Sequence, residues 1–319
     1  MISQSARGGH TREQRVDGTE QLAATIAARV DAATIDEVPF PHIVIDEFLP
    51  SAVYTEILRQ IPPRSEFDAL RYLGTGFGAR GAHYHDFGYV FPRTAVATGL
   101  LGTLDAAVGS EQFARALLEK FGNHALAVPH YKRSSFVDDS TEFITVVDLQ
   151  VDLPGYAIAP HADVASELIN FQLDLVEDSV AQYRTCFCIP DDPRVYKGRK
   201  RVEAALGALL SRMPRHNRLV RTLERSSVGL RLGVGVTAGW LPWGWFKTVK
   251  VVEAVPNRFV AFAPNDRSFH AADFSVSAEA PAPERAVLRG SIRVGRGSAG
   301  AARGQLLNRG RRAKRTKAF

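Results

Sequence analysis

Two histidines and an aspartate carry the most specific chemical signal in the chain. His161 and Asp163 stand as H-x-D in the run Ala159-Pro160-His161-Ala162-Asp163-Val164, with a spacing suited to a strand. Side chains alternate along a strand with period two, so this spacing sets imidazole and carboxylate on one face. Together with a second histidine from elsewhere they make the facial donor set of non-haem iron(II) sites, which leaves positions open for a cosubstrate and dioxygen. Taken alone, H-x-D is a common surface pair. Asn257–His270, NRFVAFAPNDRSFH, reads as strand, turn and then His270. His216 and His130 compete for this role, but His216 lies in a basic helical stretch and His130 precedes the H-x-D. Further on, Ala286–Val294 (AVLRGSIRV) places Arg289 and Ser291 on one face. A guanidinium fork grips a carboxylate bidentately and a neighbouring hydroxyl adds a hydrogen bond, which is what a dicarboxylate cosubstrate needs. The plainer readings are a loop histidine for His270 and a solvent-facing strand residue for Arg289.

Other clusters are less decisive. His83-Tyr84-His85-Asp86 has metal-like spacing without an evident third partner and reads as a loop bordering the site's mouth. Trp240, Trp243 and Trp245 fit a substrate-stacking lid and core packing equally well, and Tyr131 and Gln150 are candidates to face the cosubstrate. Cys186 and Cys188 are too close along one strand to bridge, and without a second pair they exclude a structural zinc site.

The elements that must position these residues follow a simple order. Residues 1–18 are polar and predicted to be disordered, and Glu20–Ala33 has helical apolar spacing. His42–Phe48 suits a strand, Ala52–Ile61 an amphipathic helix closed by Pro62-Pro63, and Leu100–Phe121 a further helix. Arg71–Arg93 is a loop with strand fragments. From Glu142 the pattern changes to short strands: FITVVDLQVDL, YAIAPHADV, LINFQLDLV and QYRTCFCIP, resuming at Thr248–Val255, Arg258–Ala263 and Ala286–Val294. Such runs predict a sandwich or double-stranded β-helix rather than βαβ units. The basic, Gly- and Trp-rich stretch between them reads as an insertion.

In three places the chain resembles the prolyl-4-hydroxylase-like branch of the 2-oxoglutarate/iron(II) oxygenases. PFPHIVIDEFLP is similar to the first strand and helix of such domains, LPGYAIAPHADV to their first metal-binding strand, and NRFVAFAPNDRSFHAADF with LRGSIR to their distal-His and cosubstrate strands. The resemblance implies a mainly β fold with packed helices: a double-stranded β-helix (jelly-roll, cupin-like) core, a helical N-terminal region and an inserted lid. It implies one oxygenase domain over 19–295, an insertion at about 177–247, and a basic disordered tail over 296–319. Iron(II) would be held by His161, Asp163 and His270, and 2-oxoglutarate by Arg289 and Ser291. The Pro/Ala loop SVSAEAPAPE stretches the approach to Arg289, so Arg285 and Arg293 stay open as alternatives. The activity implied is dioxygen-dependent decarboxylation of 2-oxoglutarate to succinate, coupled to oxidation of an unactivated C–H bond. Related halogenases replace the carboxylate with Gly or Ala, so Asp163 favours hydroxylation, desaturation or ring formation.

Composition bounds the rest. The chain has 319 residues, 45% hydrophobic and 23% charged, as in ordinary globular proteins. No run is apolar enough to span a membrane, and the N-terminus lacks a secretory h-region, which predicts a cytoplasmic protein. The net charge of +6 belongs to the C-terminus: from Arg285 onward the chain carries Lys and Arg and no acid, leaving an acidic body. A small-molecule substrate is therefore expected, such as an amino-acid-like or natural-product intermediate. The alternative is a protein or nucleic-acid substrate guided by the basic tail.

Overall fold

The computed structural model describes residues 12–69, 88–92, 98–126, 143–163, 167–192, 243–264, 268–274 and 283–294. Helices come first: α1 (Arg12–Ala32), α2 (Ser51–Gln60), α3 (Gly99–Val108) and α4 (Glu111–Phe121). Among them lie the short strands β1 (His42–Ile45), β2 (Asp68–Ala69) and β3 (Gly88–Val90). The rest is β-structure: β4 (Phe143–Asp152), β5 (Ile158–His161), β6 (Glu167–Leu175), β7 (Val180–Pro190), β8 (Phe246–Ala254), β9 (Phe259–Phe262), β10 (Phe269–Phe274) and β11 (Arg285–Val294).

Two sheets result. The larger runs β1-β9-β6-β11-β4-β3-β2 and the smaller β5-β10-β7-β8. All pairings between neighbours are antiparallel. Successive strands from β4 to β11 pass between the two sheets, with only β7 and β8 forming a hairpin within one. That winding of an antiparallel sandwich is a jelly roll, as the strand pattern predicts.

The two faces of the larger sheet differ in chemistry. Leu149 and Val151 of β4, Phe171 and Leu173 of β6, Phe259 and Ala261 of β9, and Leu288 and Ile292 of β11 join one buried core with α1–α4. The alternate residues point between the sheets. Near β1 and β9 this inner face is apolar, with Val260 and Phe262 packed against Phe40, Phe187 and Val252. Along β4, β6 and β11 it carries Asp148, Gln150, Asp152, Asn170, Gln172, Asp174, Arg285, Arg289, Ser291 and Arg293. Polar groups on an interior face need partners, and a row of them marks the place where the sandwich is not simply filled with hydrocarbon.

Several elements differ from expectation. Helix α1 starts at Arg12, inside the stretch expected to be disordered, because its first turns continue the run of helix-forming residues. The helix expected over Leu100–Phe121 is broken at Gly109-Ser110, where the Ser110 hydroxyl accepts a hydrogen bond from the Phe113 amide and caps α4. Strand β7 is an integral member of the smaller sheet, so the insertion cannot begin at 177; residues 193–242 lie outside the described residues. The C-terminal tail from residue 295 lies outside them as well.

Candidate metal centre

The register of β5 against β10 sets His161 directly opposite His270. Opposed residues of an antiparallel pair project to the same face, and the two imidazole rings lie 4.3 Å apart, centre to centre. Asp163 sits just past the end of β5 rather than on it. Its Oδ1 is 3.4 Å from His161 Nε2 and its Oδ2 is 3.4 Å from His270 Nε2. One donor atom from each of the three residues falls within 4.8 Å of the others. With Nδ1 protonated and donating to the Ser268 carbonyl at 3.3 Å, His270 turns the lone pair of Nε2 toward Asp163. Phe262 packs 4.6 Å from the His270 ring and fixes its tilt.

Burial and charge set the protonation states. Burial pushes the Asp163 carboxyl up, but the charges of His270 and His161 and hydrogen bonds from His161 and Asn170 outweigh it and hold it down at about 2. Burial lowers His270 to about 4, despite the pull of Asp163 in the other direction. At neutral pH the cluster therefore offers a carboxylate and a neutral His270, the forms a metal ion requires. Two imidazoles and one carboxylate fit iron(II) by donor chemistry.

A cavity of about 220 Å³ runs from this cluster between the sheets. Its far end is lined by Gln150, Tyr156, Gln172, Thr185, Arg289 and Ser291. Arg289 donates to Gln150 Oε1 at 2.6 Å and to the Tyr156 hydroxyl at 2.9 Å, and its fork meets Asp152 at 3.0 and 2.7 Å. The guanidinium also stands 4.9 Å over the Tyr156 ring. Asp152 is fully buried and also faces Arg285 at 3.5 Å; Arg285 in turn pairs with Asp174. Two arginines and two aspartates thus form a buried string in which each charge has a counter-charge. Tyr156, Gln150, Ser291 and the Arg289 fork fit a carboxylate group that enters the cavity, with Asp152 as a permanent counter-ion behind the arginine.

The sequence-predicted residues fall into three groups. His161, Asp163, His270, Arg289, Ser291 and Gln150 all line the one cavity. Of the alternative arginines, Arg285 is sealed in the core at 2% exposure, whereas Arg293 reaches the cavity wall. His83, His85, His130, Tyr131, His216 and Trp240 lie outside the described residues. Trp245 packs with Phe246 near Cys186, Cys188 and Phe269, away from the cavity. Both cysteines are buried free thiols whose ionisation is pushed up by burial, to about 12 and about 11. Sequence reasoning missed Asp152, Tyr156, Glu167 and Asn170. The alternation of polar residues along β4 and β6 was the available signal, but it reads as solvent-facing until the sheets are assembled.

No family model matches the chain, and no curated protein matches it by sequence. Among solved structures it is similar to a prolyl hydroxylase from Trichoplax adhaerens in complex with a hypoxia inducible factor peptide fragment, at 12% identity and a TM-score of 0.39, covering 89% of this chain and 94% of that one. A Pseudomonas putida prolyl-4-hydroxylase gives 13% and 0.38, covering 85% and 99%. The non-haem α-ketoglutarate-dependent epimerase from nogalamycin biosynthesis gives 13% and 0.40, covering 87% and 84%. These neighbours are 2-oxoglutarate-dependent oxygenases. At such TM-scores the likeness carries no weight of its own, and the functional reading rests on the strand order and the site.

Proposed function

We propose that the protein is an iron(II)- and 2-oxoglutarate-dependent dioxygenase that hydroxylates an unactivated C–H bond of a small molecule. The observation that carries this reading is the placement of His161, Asp163 and His270 at one end of a jelly-roll cavity with Arg289 toward the other. Iron(II) held by the three residues would supply the activation of dioxygen at the expense of 2-oxoglutarate. The chain's own residues divide the remaining work. Arg289, Tyr156, Gln150 and Ser291 hold and orient the cosubstrate's remote carboxylate, and Phe262 and Phe187 exclude water from the inner side.

The substrate side is marked by Glu167 and Arg293, paired at 2.7 Å on the cavity wall nearest Asp163. Arg293 keeps 43% of its side chain exposed. An acid beside a base suits a substrate with both charges, which supports an amino-acid-like molecule. Wild-type protein with iron(II) and 2-oxoglutarate should release succinate, and His161→Ala should not. Succinate release by His161→Ala at the wild-type rate would remove the metal assignment.

A further inference from the structure

The inner face of β6 holds one side chain aimed at a proposed metal ligand. Asn170 Nδ2 donates to Asp163 Oδ2 at 2.6 Å, and the same amide lies 3.3 Å from Glu167 Oε2. Glu167 Oε1 is 2.7 Å from Arg293, whose Nε donates to the Ser291 hydroxyl at 2.7 Å. Four side chains from β6, β11 and the β5–β6 turn thus form a continuous string ending on Asp163. The orientation of the amide follows from charge. Turning it over would set its oxygen against two carboxylates, so the NH₂ faces them. The cost is visible: Asn170 Oδ1 is buried and makes no hydrogen bond. Leaving a buried acceptor unsatisfied is unfavourable, and such atoms persist where something else fixes the group.

A carboxylate can offer a metal one oxygen or both. A hydrogen bond on Oδ2 draws electron density from that oxygen and locks rotation about Cβ–Cγ. Oδ1, 3.4 Å from His161 Nε2, is then the oxygen presented to the ion. A neutral amide does this without cancelling the carboxylate's charge, as a lysine or arginine in the same place would. Resting on the metal-centre reading above, we propose that Asn170, held in turn by Glu167 and Arg293, is a positioning residue that fixes Asp163 as a one-oxygen ligand. It thereby keeps the remaining coordination positions open for cosubstrate and dioxygen.

Cobalt(II), titrated into the full chain without cosubstrate, reports both affinity and coordination through its visible absorption. Wild-type protein should bind one cobalt(II). Asn170→Ala and the similarly sized Asn170→Leu should weaken binding about 10–100-fold and alter the band intensities as Asp163 becomes free to bind through both oxygens. Glu167→Gln, which keeps an acceptor for the Asn170 amide, should have a smaller effect. Melting curves identify folded variants, and either Asn170 variant suffices if the other is unfolded. Folded Asn170 variants with wild-type affinity and spectrum would overturn the proposal. A wild-type protein that binds no cobalt(II) would overturn the metal-centre reading itself, a separate failure.

Discussion

Burial acts on Asp163 and His270 alike by disfavouring charge, but only His270 yields to it. Asp163 stays ionised because His161, His270 and Asn170 surround it with positive charge and donors. His270 loses its proton early, at about 4 against an ordinary 6.5. This has a consequence for the metal-free protein. A histidine whose folded pKa is depressed binds fewer protons in the native state than in the unfolded chain between those two values. Its contribution to stability is present above pH 6.5 and is lost as pH falls from there toward 4. Buried His42, also lowered chiefly by burial, adds to the loss in the same direction. Chemical denaturation at pH 7 and pH 5 should show a fall on the order of 2 kcal/mol from His270, and His270→Leu should flatten it. Equal stability at the two pH values would contradict this account. At the other end of the cavity, Arg289→Lys keeps a cation for Asp152 but loses the fork. The KM for 2-oxoglutarate should rise about tenfold or more with kcat less affected, since one bidentate contact is worth at least ~1.4 kcal/mol. An unchanged KM would place the cosubstrate elsewhere.

The strands and helices set how accurately these side chains are held. Gly290 sits on β11 between Arg289 and Ser291, and a Cβ there would fall 2.2 Å from the Phe171 ring. That ring is boxed in by Phe113 and Phe259 at 5.5 and 5.8 Å, so it cannot swing aside. Gly290→Ala should cost about 1–3 kcal/mol by overpacking and disturb the cosubstrate end, read as a lower Tm together with a higher KM for 2-oxoglutarate. Ser110→Ala removes the α4 cap far from the cavity and should cost about 1 kcal/mol with the KM unchanged. Much of this scaffold is legible in the sequence, because strand alternation is local: H-x-D, the strand before His270 and R-x-S all follow from period-two spacing. Asn170, Asp152 and Glu167 are not legible in the same way. Asn170 reaches Asp163 only because β6 lies beside β11 in one sheet while β5 lies in the other, and no local pattern encodes that pairing. The break at Gly109-Ser110 was missed because the apolar spacing runs through it; only the capping hydroxyl reveals it.

On the scale of the whole molecule, the acidic body and basic C-terminus bear on what the enzyme acts upon. The charge that raises the pI lies from Arg285 onward, and of these residues Arg285, Arg289 and Arg293 are already engaged with Asp174, Asp152 and Glu167. The basic residues left over follow β11 and are not part of the cavity wall. Truncation at about Gly295 should therefore leave Tm and iron-dependent succinate release unchanged. A loss of turnover on truncation would favour a polyanionic or macromolecular substrate instead. Among the described residues, no helix is long and apolar enough to cross a membrane. The central claim joins the two ends of one cavity: a metal at His161, Asp163 and His270, and a dicarboxylate reaching from it to Arg289. Anaerobic calorimetry of 2-oxoglutarate binding, with and without iron(II), tests that claim most directly. The account requires one 2-oxoglutarate per chain, bound tightly only when iron(II) is present and weakened by Arg289→Lys. Binding that ignores the metal, or no binding at all, would contradict it.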